Sequence, residues 1–231
     1  MLQYVIMPDH IHFAIFARDY LPRVLGKYIG MMKVKTGQIL RSIYPNLTDI
    51  FTPDFHDRYL LPAHDLNTIF NYIRDNPKRL LVRQENPNFF QRLNNIEING
   101  MSWQAYGNIQ LLENPFKAPV VVHRADSEAL RFVKNRRWKH LYENGGVLVS
   151  PFISQAEKEV RRKCEEADGK IILLSNKPFS EREKPAAHDF EQCSRGRLLI
   201  LSPPSPMPDG RSTFLFLNSL AESIAFQGAR R

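Results

Sequence analysis

From residue 118 onward, short uninterrupted runs of Val, Ile and Leu alternate with stretches of helical period, and few folds accept that rhythm. Residues 118–122, 147–150, 170–174 and 197–202 lack the polar–apolar alternation of a strand with one wet face. Residues 127–142 and 213–226 read as helices, and Ser154-Gln155-Ala156-Glu157 is a capping-box pattern opening another that runs to Ala167. Gly145-Gly146 marks a turn, and 203–210 is a proline-rich loop. Buried-type strands separated by helices predict an α/β domain whose parallel sheet is covered on both faces.

The residues before it follow a different pattern. Two strands, 2–7 and 10–16, are broken at Pro8-Asp9, because proline cannot donate to a ladder. Residues 23–41 read as a helix with Leu21, Leu25, Tyr28, Met32 and Ile39 on one stripe and Arg23, Lys27, Lys33, Lys35 and Arg41 on other faces. A short strand is expected at 58–61. Asp65 then reads as the N-cap of a helix that Pro77 ends after Asn76. Residues 86–104 show no clear period and read as a linker, which divides the chain into domains 1–98 and 99–231.

Composition narrows the function classes. With 43% hydrophobic and 24% charged residues, the chain has the balance of a globular protein. Its apolar runs are far shorter than the ~20 residues of a membrane span. The opening residues carry no export-signal pattern, and the 2 cysteines, Cys164 and Cys193, form no Cys-x-x-Cys pair. Reduced thiols in a cytoplasmic protein are expected. A net charge of +8 makes polyanions fitting partners, although mild basicity is also common in proteins that bind none.

His10-Ile11-His12 places two imidazoles on one face of a strand, a spacing that suits a divalent cation. Two hydrogen-bonded strand histidines are the plain alternative. Tyr72 and Asn76, at i and i+4, share a helix face. An amide oxygen from Asn76 could complete a cation site begun by the histidines, with Tyr72 one turn away. A divalent cation polarises a phosphodiester oxygen and orients the phosphate for in-line attack, so the four residues together point to phosphoryl transfer through a covalent tyrosine. Taken alone, Tyr72 reads equally as a core aromatic on an amphipathic helix.

The segment Tyr4-Val5-Ile6-Met7-Pro8-Asp9-His10-Ile11-His12 resembles the histidine–hydrophobic–histidine motif of HUH single-tyrosine transposases, and most of all the REP-associated tyrosine transposases. Phe55-His56-Asp57-Arg58, followed by Tyr72-Ile73-Arg74-Asp75-Asn76-Pro77, resembles their second block. The resemblance covers roughly residues 1–85. It implies an α+β ferredoxin-like domain that cleaves and rejoins single-stranded DNA. Tyr72 would become linked to a 5′ phosphate and leave a free 3′ hydroxyl, within one subunit or across a homodimer. His10, His12 and Asn76 would hold Mg or Mn. Because the family recognises hairpin DNA, Lys27, Lys33, Lys35 and Arg41 are candidate backbone contacts, or else a solvated helix face. Family domains open with a strand and helix upstream of the histidine strand, whereas this chain begins almost at that strand. The expectation is therefore an incomplete, N-terminally truncated domain. The competing readings are a non-catalytic DNA-binding relic or accessory protein, and a metal-binding regulatory module unrelated to DNA.

Tyr106-Gly107-Asn108-Ile109-Gln110-Leu111-Leu112, Gly145-Gly146-Val147-Leu148-Val149-Ser150 and Gly196-Arg197-Leu198-Leu199-Ile200-Leu201-Ser202-Pro203 resemble the Rossmann-like domain of DprA-type DNA-processing proteins, over residues 105–228. That resemblance implies single-stranded DNA binding. The first strand ends in Val122-His123-Arg124 without glycine, and Pro151 stands where a flexible glycine belongs, so a nucleotide cradle is not expected. Arg131, Lys134, Arg136, Arg137 and Lys139 crowd one helix beside Phe132 and Trp138. Arg136 and Arg137 are the candidate contacts to a single strand. Alternatively both aromatics face the sheet and the charges face water.

Overall fold

The computed structural model describes residues 2–57, 66–180, 185 and 187–227. They divide into two compact units, Met1–Leu80 and Leu81–Arg231.

In the first unit, β1 (Gln3–Ile6) and β2 (Ile11–Ala14) form an antiparallel hairpin. Met7 N–H donates to the His10 carbonyl at 2.8 Å, closing the reversal around Pro8-Asp9. Directly opposed residues share a face, so Val5, His12, Gln3 and Ala14 lie on one side, and Tyr4, Phe13, Ile6 and Ile11 on the other. Ala14 is buried, whereas Tyr4 and Ile6 are exposed. Among the described residues this sheet has two strands, which is less than the ferredoxin-like sheet expected here, because no third strand pairs with either edge. The strand expected at 58–61 and the Asp65 cap lie outside the described residues.

Helix α1 (Leu25–Ile43) buries a different stripe from the one its apolar residues predict. Ile29 and Gly37 are buried, while Tyr28, Met32 and Ile39 are exposed. Segment 48–55 returns over α1: a Cβ on Gly26 would meet the Phe55 ring at 3.3 Å. Lys33 Nζ fastens that segment by donating to the carbonyls of Thr52 and Asp54 at 2.8 and 2.7 Å. The helix packs along the line where backbone carbonyls need a donor, and a hydropathy stripe does not register that demand.

Helix α2 (Leu66–Glu85) continues through Pro77, where the sequence predicts a stop. Proline removes the N–H that would serve the carbonyl of Ile73. The Asn76 amide nitrogen takes up that role, facing the carbonyls of Tyr72 at 3.1 Å and Ile73 at 3.5 Å. With the carbonyl satisfied, the helix runs on to Glu85.

The second unit holds a six-stranded sheet in the order β3-β4-β8-β7-β6-β5. β5 (Lys117–Pro119), β6 (Val147–Ser150), β7 (Lys170–Leu174) and β8 (Leu198–Ser202) are mutually parallel. β3 (Arg92–Ile98) and β4 (Met101–Gly107) extend them as an antiparallel hairpin. This hairpin occupies the stretch expected to be a linker, and the units part at Leu80/Leu81 rather than after residue 98. Asn99-Gly100, both at positive φ (54° and 71°), supply the tight turn. Asn95 at φ 61° accompanies a register shift between Leu93 and Ile96, and that irregularity masks the strand's period. Gly107 is required: a Cβ there would stand 2.3 Å from the Leu198 carbonyl oxygen.

The pleat sorts alternate residues of the parallel strands onto two cores. Val147, Val149, Ile172, Leu174, Leu199 and Leu201 pack against Leu217, Leu220, Ala221 and Ile224 of α6 (Arg211–Gln227). Leu148, Ile171 and Leu198 pack the opposite way, against Trp138 and Tyr142 of α3 (Glu128–Glu143), Val160 and Cys164 of α4 (Gln155–Glu166), and Cys193 of α5 (Ala187–Ser194). The result is a mixed α/β domain with a mostly parallel sheet between two helical layers. Helix α5, short and without a clear apolar period, has no signature in the sequence reading.

Candidate functional site

In the first unit the hairpin and α2 bring the motif residues together. His10 and His12 lie with ring centroids 4.6 Å apart. His12 stacks on Tyr72 at 6.0 Å between centroids and 29° between planes. Asn76 Nδ2 lies 3.3 Å from His12 Nδ1. Each element has a reason to deliver its residue. The strand period puts His10 and His12 on one face, the helical period puts Tyr72 and Asn76 on another, and buried Ile73 between them holds α2 in place.

Two further side chains reach this cluster, Asp9 from within the first motif segment and Arg79 from outside both. Asp9 Oδ1 lies 2.7 Å from His10 Nδ1. Arg79 stands over the Tyr72 ring, with its guanidinium carbon 5.6 Å from the centroid. The signal for Arg79 was present in the sequence as the i+7 spacing from Tyr72, two helical turns along one stripe.

The side chains gathered here carry donor atoms of the kinds a divalent cation takes. A carboxylate at His10 Nδ1 fixes the proton there and leaves Nε2 with its lone pair. His12 Nδ1 accepts from the Asn76 amide when unprotonated, so its lone pair would meet a cation once that amide turned its oxygen inward. Asn76 Nδ2 is tied to helix carbonyls, so Oδ1 is the amide atom left to meet a cation. Two imidazole nitrogens and an amide oxygen favour Mn over Mg, whose preference is for oxygen alone. Among the described residues no group of three or more His, Cys, Asp or Glu side chains could hold a metal ion. Tyr72 is 40% exposed, open enough to meet a macromolecular substrate.

The four cations proposed on α1 divide in two. Lys33 and Arg41 are engaged with carbonyls of the 48–54 segment, Arg41 Nη2 donating to Thr48 at 3.4 Å. Lys27 and Lys35 are exposed.

In the second unit, the backbone amides at the carboxyl ends of β5 and β6 are already claimed. Glu157, buried at 4% exposure, accepts from Val122 N at 3.1 Å and from Ile153 N and Ser154 N at 3.0 Å each. Its carboxylate sits among amide donors where a phosphate would sit in a nucleotide-binding turn. On α3, Trp138 faces the sheet and donates to the Pro119 carbonyl at 3.0 Å. Phe132, however, is 64% exposed beside exposed Arg136 and Arg137. The two aromatics thus point different ways. Lys134 is engaged with Asp126 at 2.7 Å and with the Val121 carbonyl at 3.1 Å. Cys164 and Cys193 are buried free thiols, and burial pushes both up to about 12.

No described helix is long and apolar enough to cross a membrane. No family model matches the chain, and no curated protein matches it. Among solved structures, the chain is similar to DNA processing protein A from Helicobacter pylori, a structure described for its single-stranded DNA binding mode. The two share 23% identity over 59% of this chain and 67% of that chain, with a TM-score of 0.42.

Proposed function

We propose that the first unit is a single-stranded DNA nicking and rejoining site of the HUH tyrosine class, with Tyr72 as nucleophile. The supporting observation is the contact of His12 with both Tyr72 and Asn76, residues far apart in sequence that this chemistry needs together. His10 Nε2, His12 and Asn76 Oδ1 would hold Mn or Mg, which supplies Lewis-acid polarisation of the phosphate when bound. The phenol oxygen of Tyr72 adds to the scissile phosphorus, and the bond to the 3′ oxygen breaks. The phenolic proton ends on that 3′ oxygen, leaving a 5′-phosphotyrosine and a free 3′ hydroxyl. No net oxidation or hydrolysis occurs, so the reverse reaction rejoins a strand. His12 stacking on the Tyr72 ring limits its rotation and favours one approach to the phosphate.

For the second unit by itself, the same reading has α3 contact single-stranded DNA through Arg136 and Arg137, with Phe132 as a stacking surface. Lys27 and Lys35 of α1 are the cations left for hairpin backbone contacts.

Incubation of the full chain with labelled hairpin oligonucleotides and Mn tests this directly. A covalent protein–DNA adduct that disappears in Tyr72→Phe is the expected result. Hairpin binding without any adduct would favour the non-catalytic DNA-binding reading. Neither binding nor adduct would reject both.

A further inference from the structure

The reaction proposed above builds negative charge on a phosphate next to Tyr72. Beyond the divalent cation they would hold, the ligating forms of two imidazoles and an amide, with the phenol, bring no positive charge of their own to meet it. Arg79 does. Its guanidinium carbon lies 5.6 Å from the centre of the Tyr72 ring, within the range where an arginine is drawn to an aromatic face. Tyr72, Asn76 and Arg79 follow one another at i, i+4 and i+7, so the nucleophile, the proposed ligand and the cation share a single stripe of α2. That stripe faces the histidine hairpin at both of its first two members.

Resting on the Tyr72 reading, we propose that Arg79 is a catalytic residue that grips the non-bridging oxygens of the scissile phosphate. A planar guanidinium presents paired N–H donors that match two such oxygens, an arrangement a lysine cannot reproduce. As the phenol oxygen bonds to phosphorus and the 3′ oxygen departs, charge gathers on those oxygens, and a fixed cation stabilises that state more than the resting diester. The ring contact gives Arg79 a second task, which is to hold the phenol at a set distance from the phosphate it binds.

The test compares two substrates. One is a 3′-labelled pool of single-stranded hairpins with randomised flanks, so that the label stays on the strand joined to Tyr72. The other is the same pool, once the cleaved position is mapped, with a neutral methylphosphonate there. Adduct formation by the full chain is followed in Mn under single turnover. On the phosphodiester, Arg79→Ala is expected to be slower by about 10²-fold, with Arg79→Lys recovering only part of the loss. On the methylphosphonate there is no anionic oxygen pair to grip, so wild type and Arg79→Ala should agree within about threefold. Equal slowing on both substrates would reduce Arg79 to a packing role and overturn the proposal while leaving Tyr72 as nucleophile. Unchanged rates on the phosphodiester would overturn it likewise. A wild type that forms no adduct would overturn the Tyr72 reading, and this inference with it.

Discussion

Asn76 reaches across 64 positions of sequence to place its amide nitrogen 3.3 Å from Nδ1 of His12. The same nitrogen faces the carbonyls of Tyr72 and Ile73, the second of which Pro77 leaves without a helical partner. One side chain therefore repairs the helix that carries the tyrosine and joins that helix to the histidine hairpin. A proline that would ordinarily end α2 is tolerated because its neighbour is an asparagine.

Asn76→Ala should lower stability by about 1 kcal/mol through loss of these hydrogen bonds, a fall of roughly 2–4 °C in the melting temperature for a chain of this size. In a Pro77→Ala background the new N–H serves the Ile73 carbonyl, so the cost of Asn76→Ala should shrink. A double-mutant cycle on thermal melts measures this coupling. Equal costs in both backgrounds would show that the side chain does not compensate for the proline.

Glu157 carries a comparable burden in the second unit, where one carboxylate accepts from three backbone amides. Glu157→Ala strands those donors near the ends of β5 and β6 and should cost about 3 kcal/mol. Glu157→Gln retains one oxygen and should cost about 1 kcal/mol. Urea titrations followed by circular dichroism separate the two. Indistinguishable midpoints would contradict the assignment of the carboxylate as an internal anion.

The parallel strands were readable because burial on both faces leaves an uninterrupted apolar run, and Leu148, Ile171 and Leu199 all end in a core. The hairpin at 92–107 was not, since Asn95 inserts an irregularity that breaks the period-two signal, although Asn99-Gly100 was a legible turn. The apolar residues of α1 misled because the partner covering that helix is a loop of carbonyls satisfied by Lys33, a contact no hydropathy pattern encodes. At the candidate site, strand and helix periods paired His10 with His12 and Tyr72 with Asn76, and only the two-block resemblance joined the pairs. Arg79 escaped notice because arginine at i+7 is unremarkable until the ring beneath it is known to matter.

The two buried thiols give a pH prediction. Their ordinary value is 9.0, and burial raises each to about 12 in the folded chain. Between those values the unfolded thiols have lost protons that the folded ones keep, so the unfolded state binds fewer protons and stability falls as pH rises. The contribution is complete below pH 9.0 and gone above about 12. A Cys164→Ala/Cys193→Ala variant should show a flatter decline in urea midpoint between about pH 8 and 10.5. At pH 8 iodoacetamide should label both thiols of the wild type only after unfolding, since thiolate is the reactive form. Rapid labelling of the native chain would refute the burial argument.

Helix α3 offers the clearest separation of charge from stacking. Arg136 and Arg137 are exposed, and Phe132 stands exposed beside them while Trp138 packs inward. If the outer face of this helix carries a single strand, Arg136→Ala/Arg137→Ala removes two phosphate contacts. The slope of log affinity against log salt should then shrink by about 1.4, at roughly 0.7 per contact for single strands. Phe132→Ala should instead weaken oligo-dT binding by about 1–3 kcal/mol and leave that slope unchanged. Fluorescence anisotropy across a salt series reads both quantities. A wild-type slope retained by the double arginine variant would place any bound strand elsewhere and return α3 to the role of a helix with a solvated face.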